Sequence, residues 1–182
     1  MTAPRFIHLR VHTEHSLLEG AMPVKKLVKA CAAAEMPAVA VTDTNNMFAA
    51  LEFSVLAKDA GLQPIVGCQI SVAHDPAMPG EKPRAPAPIV LLAQNEAGYM
   101  NLMKLNSCLY IDKGGALPSV TLDQLEAHSD GLICLTGGPE GPLGRFHAFH
   151  RSGEKDPAIA RDHADAEFLL QMPEVRGLVA EQ

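Results

Sequence analysis

The stretch Pro37-Ala-Val-Ala-Val-Thr-Asp-Thr-Asn-Asn46 decides how this chain folds. A short, unbroken apolar run behind a proline has strand length and no alternation of polar and apolar residues, the pattern of a strand buried on both faces. Asp43-Thr44-Asn45-Asn46 then reads as a turn. Before this strand, Val24, Leu27, Val28, Cys31 and Ala34 fall at helical spacing behind Pro23, with Lys25, Lys26 and Lys29 left to face water. After it, a helix from about Asn46 to Ala60 closes at Gly61, and Pro64 to Val72 forms the next strand. The unit is therefore helix, strand, helix, strand.

Working outward, Phe6 to Leu9 reads as an earlier strand and Ile89 to Ala93 as a later buried one. Residues 74–88 carry Pro76, Pro79, Pro83, Pro86 and Pro88 and read as a loop. A helix from Glu96 to about Leu109 precedes a break at Gly114-Gly115. Thr121 and Gln124 have the spacing of a capping box that opens a short helix, and Gly131 to Thr136 is a fifth strand ending in Gly137-Gly138. Strands separated by helices predict an α/β fold with parallel pairing through right-handed crossovers. Neither Gly-x-Gly-x-x-Gly nor Gly-x-x-x-x-Gly-Lys-Ser/Thr occurs, which favours a barrel over an open nucleotide-binding sheet. In a barrel, chemistry gathers at the C-terminal strand ends, and His8, Arg10, His12, Asp43, Thr44 and the Gly137-Gly138 turn stand there.

With 182 residues, 47% of them apolar, the chain is long enough for one domain with a sizeable core. No apolar run approaches the ~20 residues of a membrane span, and the N-terminus lacks a signal-peptide pattern, so a cytoplasmic protein is expected. A formal net charge of −6 gives no broad positive field, so this segment is not expected to bind DNA directly. Cys31, Cys68, Cys108 and Cys134 lie far apart in apolar stretches without a Cys-x-x-Cys pair and read as small core residues. That context equally disfavours a cysteine or serine nucleophile, and Ser16 reads as a cap or turn residue.

His8, His12 and His15, with Glu14 and Glu19 nearby, are ligand-type residues. Alternation along a strand sets Arg10 on the same face as His8 and His12, and its permanent charge opposes a divalent cation. Asp43 is placed to orient a ligand or simply to cap the next helix, while Thr44 and Gln69 are neutral and make poor metal ligands. His74, His128, His147, His150 and His163 show no regular spacing and read as surface histidines.

Arg5-Phe-Ile-His-Leu-Arg-Val-His-Thr-Glu-His-Ser-Leu-Leu-Glu-Gly20 resembles the opening of the polymerase and histidinol phosphatase (PHP) domain of bacterial replicative DNA polymerase III alpha subunits. The resemblance continues, in family order, through Met36–Asp43, Pro64–Gly67, Leu91–Leu102 and Gly131–Gly138, covering roughly residues 5–145. Beyond Arg145, including His147-Ala-Phe-His150, it stops, so residues 1–145 are expected to form a partial PHP domain and 146–182 an atypical tail.

The resemblance implies a distorted (β/α)7 barrel, of which this chain would supply about five β/α units, leaving the apolar faces of Phe6–Leu9 and Leu132–Leu135 uncovered. It also implies a vestigial site. The family's His-x-His pair falls on Arg10 and His12, its Asp-His on Asp43 and Thr44, its strand glutamate on Gln69 and its cysteine near Gly138, while Glu19 retains an acidic position. Arg10 would then pair with Asp43 or Glu19 in place of the lost cation. No catalytic residue, no metal and no cofactor is expected in this segment, whereas the parent polymerase, with its catalytic aspartates downstream, uses magnesium to copy DNA. Implied partners are the remainder of the alpha chain, the proofreading exonuclease subunit and other replicase subunits, with DNA met only through the parent and no membrane. The alternatives are a working metal-dependent PHP phosphoesterase, which would need imidazole or carboxylate at positions 10, 44 and 69, and the error-prone paralogue of the alpha subunit.

Overall fold

The computed structural model describes residues 6–73, 85–111 and 117–145. The chain divides into two compact units, Met1–Gln69 and Ile70–Gln182.

In the first unit, α1 (Val24–Ala33) packs through Val24, Leu27, Val28 and Cys31, while Lys25, Lys26 and Lys29 are exposed. Pro23 stands at the N-cap rather than inside the first turn, and Ala34 is an exposed C-cap rather than part of the apolar face. Strand β1 (Ala38–Val41) is buried at all four residues, and it pairs in parallel with the start of β2 (Gln63–Val72), Ala38 opposite Gln63 and Val41 opposite Val66. Helix α2 (Ala50–Asp59) connects them, and its Phe53 and Ala57 join Val39, Val41 and the α1 residues in one core.

Both helices of this unit end in the same device. After α2, Gly61 adopts φ 74° and its N–H bonds to Lys58, while Leu62 N–H reaches back to Ala57 O at 2.9 Å and its side chain turns into the core. After α1 the same two bonds form, Glu35 N–H to Ala32 O and Met36 N–H to Cys31 O, but the left-handed residue is Glu35, φ 52°.

The expected first strand is only an extended edge segment. His8 forms an isolated parallel bridge with Val39, and the backbone bonds run from Ala40 N to His8 O and from Thr42 N to Val11 O. Residues 6–10 are all exposed, with Phe6 at 66%, because the side of this segment away from β1 has no neighbour among the described residues of the unit.

In the second unit, β3 (Ala87–Ala93) and β4 (Leu132–Leu135) are antiparallel, Val90 opposite Leu135 and Ala93 opposite Leu132. This corrects the all-parallel expectation: the chain between them carries two helices, α3 (Glu96–Cys108) and α4 (Leu122–Ala127), so β4 returns in the opposite sense. Strand β3 begins inside the expected proline loop, taking in Pro88. Leu132 and Cys134 are buried, so the fifth expected strand does not present the uncovered apolar face anticipated for it. The capping box at α4 forms as expected: Gln124 N–H donates to the Thr121 hydroxyl and Thr121 N–H to the Gln124 amide oxygen.

Asn95 caps α3 through Gly98 N–H. At that cap the helix backbone lies directly on the turn before β4: a Cβ on Gly98 would stand 1.8 Å from the Gly131 carbonyl oxygen. Gly131 itself has φ 72°, and a Cβ there would lie 2.6 Å from Gly98 N. The Gly114-Gly115 break and most of the proline loop lie outside the described residues.

Candidate functional site

The site lies wholly in the first unit, where the end of β1 and Gln69 of β2 meet the loop Thr13–Met22. Asp43, the first turn residue after β1, is 1% exposed. Its Oδ1 accepts from Thr13 N–H and the Ser16 hydroxyl, both at 2.6 Å, and its Oδ2 accepts from the Thr13 hydroxyl at 2.7 Å. Both hydroxyls also accept, Ser16 Oγ from Thr44 N–H and Thr13 Oγ1 from His15 N–H. A buried carboxylate needs several donors to offset its desolvation, and this loop supplies them. Asp43 therefore anchors the loop, which closes on itself through Glu14 N–H to Met22 O and Gly20 N–H to Ser16 O. Gly20 is required there, because a Cβ would lie 2.1 Å from Thr13 O.

Above this anchor, five of the six expected site residues form one continuous chain of contacts. A guanidinium only donates, so Gln69 turns its amide oxygen to Arg10 Nη2 at 2.7 Å. The Gln69 amide nitrogen is thereby left to donate to Thr44 Oγ1 at 3.2 Å. Having accepted there, Thr44 gives its own proton to Glu19 Oε2 in a short hydrogen bond. A carboxylate only accepts, so His12 Nδ1, 3.2 Å from the same oxygen, is the protonated nitrogen of its ring. The polarity of the relay is thus fixed by the chemistry of its two ends, with every proton directed toward Glu19.

Arg10 meets neither Asp43 nor Glu19, contrary to the sequence-based expectation. Asp43 is already filled by hydroxyl and amide donors, and Glu19 is reached by Thr44 and His12, so the neutral amide of Gln69 is the acceptor left for the guanidinium. The sequence reading does not single out Thr13 and takes Ser16 as a cap or turn residue; the available signal is two hydroxyl residues three apart, ahead of an aspartate at a buried strand end. Asn46 extends the anchor by donating to His15 O and Thr44 O, and the Cys68 thiol lies 3.2 Å from Asp43 O. His8 and His15 do not join the relay: their rings lie edge-on to Phe6 and Phe48. His128 is the C-cap of α4, and His74, His147, His150 and His163 lie outside the described residues.

The donor set does not fit a multinuclear metal cluster. One imidazole, one carboxylate already accepting two hydrogen bonds, an amide, a hydroxyl and a guanidinium meet here, and among the described residues no three His, Cys, Asp or Glu side chains gather. Among the described residues, His12 Nε2 is the buried side-chain atom left without a hydrogen-bond partner, on a side chain that is 17% exposed. Cys31, Cys68 and Cys134 are buried thiols, with burial pushing Cys31 up and Cys134 up to about 12, and Cys108 is partly buried.

The PHP domain model matches residues 8–172. The chain belongs to the PHP domain family. This PHP domain is 45% identical over 160 residues to the DNA polymerase III subunit alpha of Caulobacter vibrioides, covering 87% of this chain and 14% of that protein. It is 35% identical over 175 residues to the DNA polymerase III subunit alpha of Escherichia coli K12, covering 94% of this chain and 15% of that protein. The PHP domain therefore spans about one seventh of the length of these curated relatives. Among solved structures, an amidohydrolase from Chromobacterium violaceum is 19% identical with a TM-score of 0.43, covering 93% of this chain and 51% of that one. No helix among the described residues is long and apolar enough to cross a membrane.

Proposed function

We propose that this chain is the N-terminal PHP scaffold of a bacterial replicative DNA polymerase III alpha subunit, whose full-length form catalyses DNA-templated DNA synthesis with magnesium in the cytoplasm. Residues 1–145 are the N-terminal part of a distorted (β/α)7 barrel and 146–182 its tail. The segment itself holds no metal and carries no catalytic residue; its partners are the rest of the alpha chain, the proofreading exonuclease and other replicase subunits.

One observation carries the metal-free reading. Most residues at the family's ligand positions are tied to one another, His12 Nε2 being left without a partner, and the relay from Arg10 through Gln69 and Thr44 to Glu19 places a fixed positive charge at one end. A divalent ion would have to displace those bonds and sit beside a guanidinium. The same point weighs against the phosphoesterase reading, which needs a metal-bound water.

Elemental analysis of the full-length chain and of this domain, after dialysis against a weak chelator, tests the reading. The expected result is less than stoichiometric zinc or manganese on the domain, no hydrolysis of p-nitrophenyl phosphate by it, and primer extension by the full-length chain alone. A tightly held metal with phosphatase turnover would replace the scaffold reading by the phosphoesterase one.

A further inference from the structure

The loop Thr13–Met22 is built rigidly, yet what it presents at its tip is apolar. Leu17 is 83% exposed and Leu18 fully exposed, and Leu18 is held at φ 69°, a conformation that a bulky residue adopts only under strain. The strain is imposed from both sides: Ser16 is tied to buried Asp43, and Glu19 to Thr44 and His12. Beside the tip, the His15 ring lies edge-on to Phe48, itself exposed, and Phe48 begins an exposed stripe with Leu51 and Val55 along α2. Glu14, Glu19 and Glu52 are the exposed charged residues among these, and all are acidic.

We propose that Leu17 and Leu18 form a preorganised docking knob for a protein partner whose surface is an apolar pocket rimmed by lysine or arginine. Strained, clamped leucines facing water serve no packing purpose within the unit, and holding them fixed lowers the ordering cost of association. The acidic collar selects a cationic rim, and it disfavours a second copy of the same patch, which would set glutamate against glutamate. The proposal goes beyond the scaffold reading and does not depend on it.

The test places the photo-crosslinker p-benzoylphenylalanine at Phe48 in the full-length chain in its own cells, with the crosslinked residues mapped by mass spectrometry. The expected result is one mapped site of apolar residues bordered by lysine or arginine, with a yield that falls about tenfold in the Leu18→Gly background and also falls with Glu14→Lys. Glycine accepts positive φ without strain, so Leu18→Gly should melt at or above the parent temperature while it loses the crosslink. No crosslink, a crosslink within the same full-length chain or to a second copy, a site without cations, a yield indifferent to Leu18→Gly, or a lowered melting temperature in that variant would each overturn the proposal.

Discussion

Arg10 donates to the Gln69 amide oxygen at 2.7 Å, across 59 positions of sequence, and this pairing of a charge with a neutral group sets the energetics of the site. Arg10 is itself exposed, so the bond is screened and replaceable by water. Arg10→Met should therefore cost only about 1 kcal/mol in a urea titration. Arg10→Lys should recover part of that, since a point charge reaches one acceptor without the planar fork. A loss of several kcal/mol would indicate a buried carboxylate partner instead.

Asp43 is the costlier position. Asp43→Ala leaves Thr13 N–H and the Thr13 and Ser16 hydroxyls without their acceptor in a buried pocket. The expected destabilisation is about 3 kcal/mol or more. Asp43→Asn should cost less, because the Thr13 hydroxyl can reverse and accept from the new amide. Amide exchange of Thr13 and Thr44 should accelerate in the alanine variant well before global unfolding.

The two matched helix ends make opposite predictions. Glu35→Gly removes a side chain from a left-handed position and should raise stability by about 0.5–1 kcal/mol, and Gly61→Ala should lower it by about 1 kcal/mol. A Cβ at Gly61 meets nothing within 4 Å, so the second effect is conformational and not steric. Thermal melts of the single and double variants check both, and the two effects should add.

Alkaline stability follows from Cys134. Burial holds its folded-state thiol up at about 12 against an ordinary 9.0, so the folded protein keeps the neutral form that the unfolded chain loses first. The stabilisation is complete below pH 9 and is lost as pH rises from 9 toward 12, at up to about 1.4 kcal/mol per pH unit. Cys134→Ala should be less stable at neutral pH through lost packing, yet show a flatter decline between pH 9 and 11. In the parent, Cys134 should resist alkylation at pH 8 until the chain unfolds.

What was legible in the sequence was whatever repeats locally. The apolar run Ala38–Val41, the lysine-backed face of α1, the Gly61 stop and the Thr121–Gln124 box each announce themselves within a few residues, and each is present. Strand direction was not legible between β3 and β4, because periodicity marks a strand without marking its sense and two helices intervene. Five of the six residues expected at the site meet in the structure, whereas Arg10 pairs with neither of the acids expected for it. Opposite charges suggest a pair to a reader of sequence, whereas the geometry satisfies Asp43 with hydroxyls and leaves the guanidinium to an amide. Thr13 escaped notice because a threonine outside a helix cap carries no periodic signal.

The contact between Gly98 and Gly131 limits how this domain can vary. In most packed pairs a larger residue on one side can be answered by a smaller one on the other, and a lineage can pass through both in two steps. Here the obstruction at Gly98 is the main chain of Gly131, and at Gly131 it is the main chain of Gly98 together with the Asn95 cap oxygen, and no substitution shortens a main chain. The two glycines, 33 positions apart, are thus a pair without a compensating partner, so any drift at this junction must begin with movement of α3 away from the turn before β4.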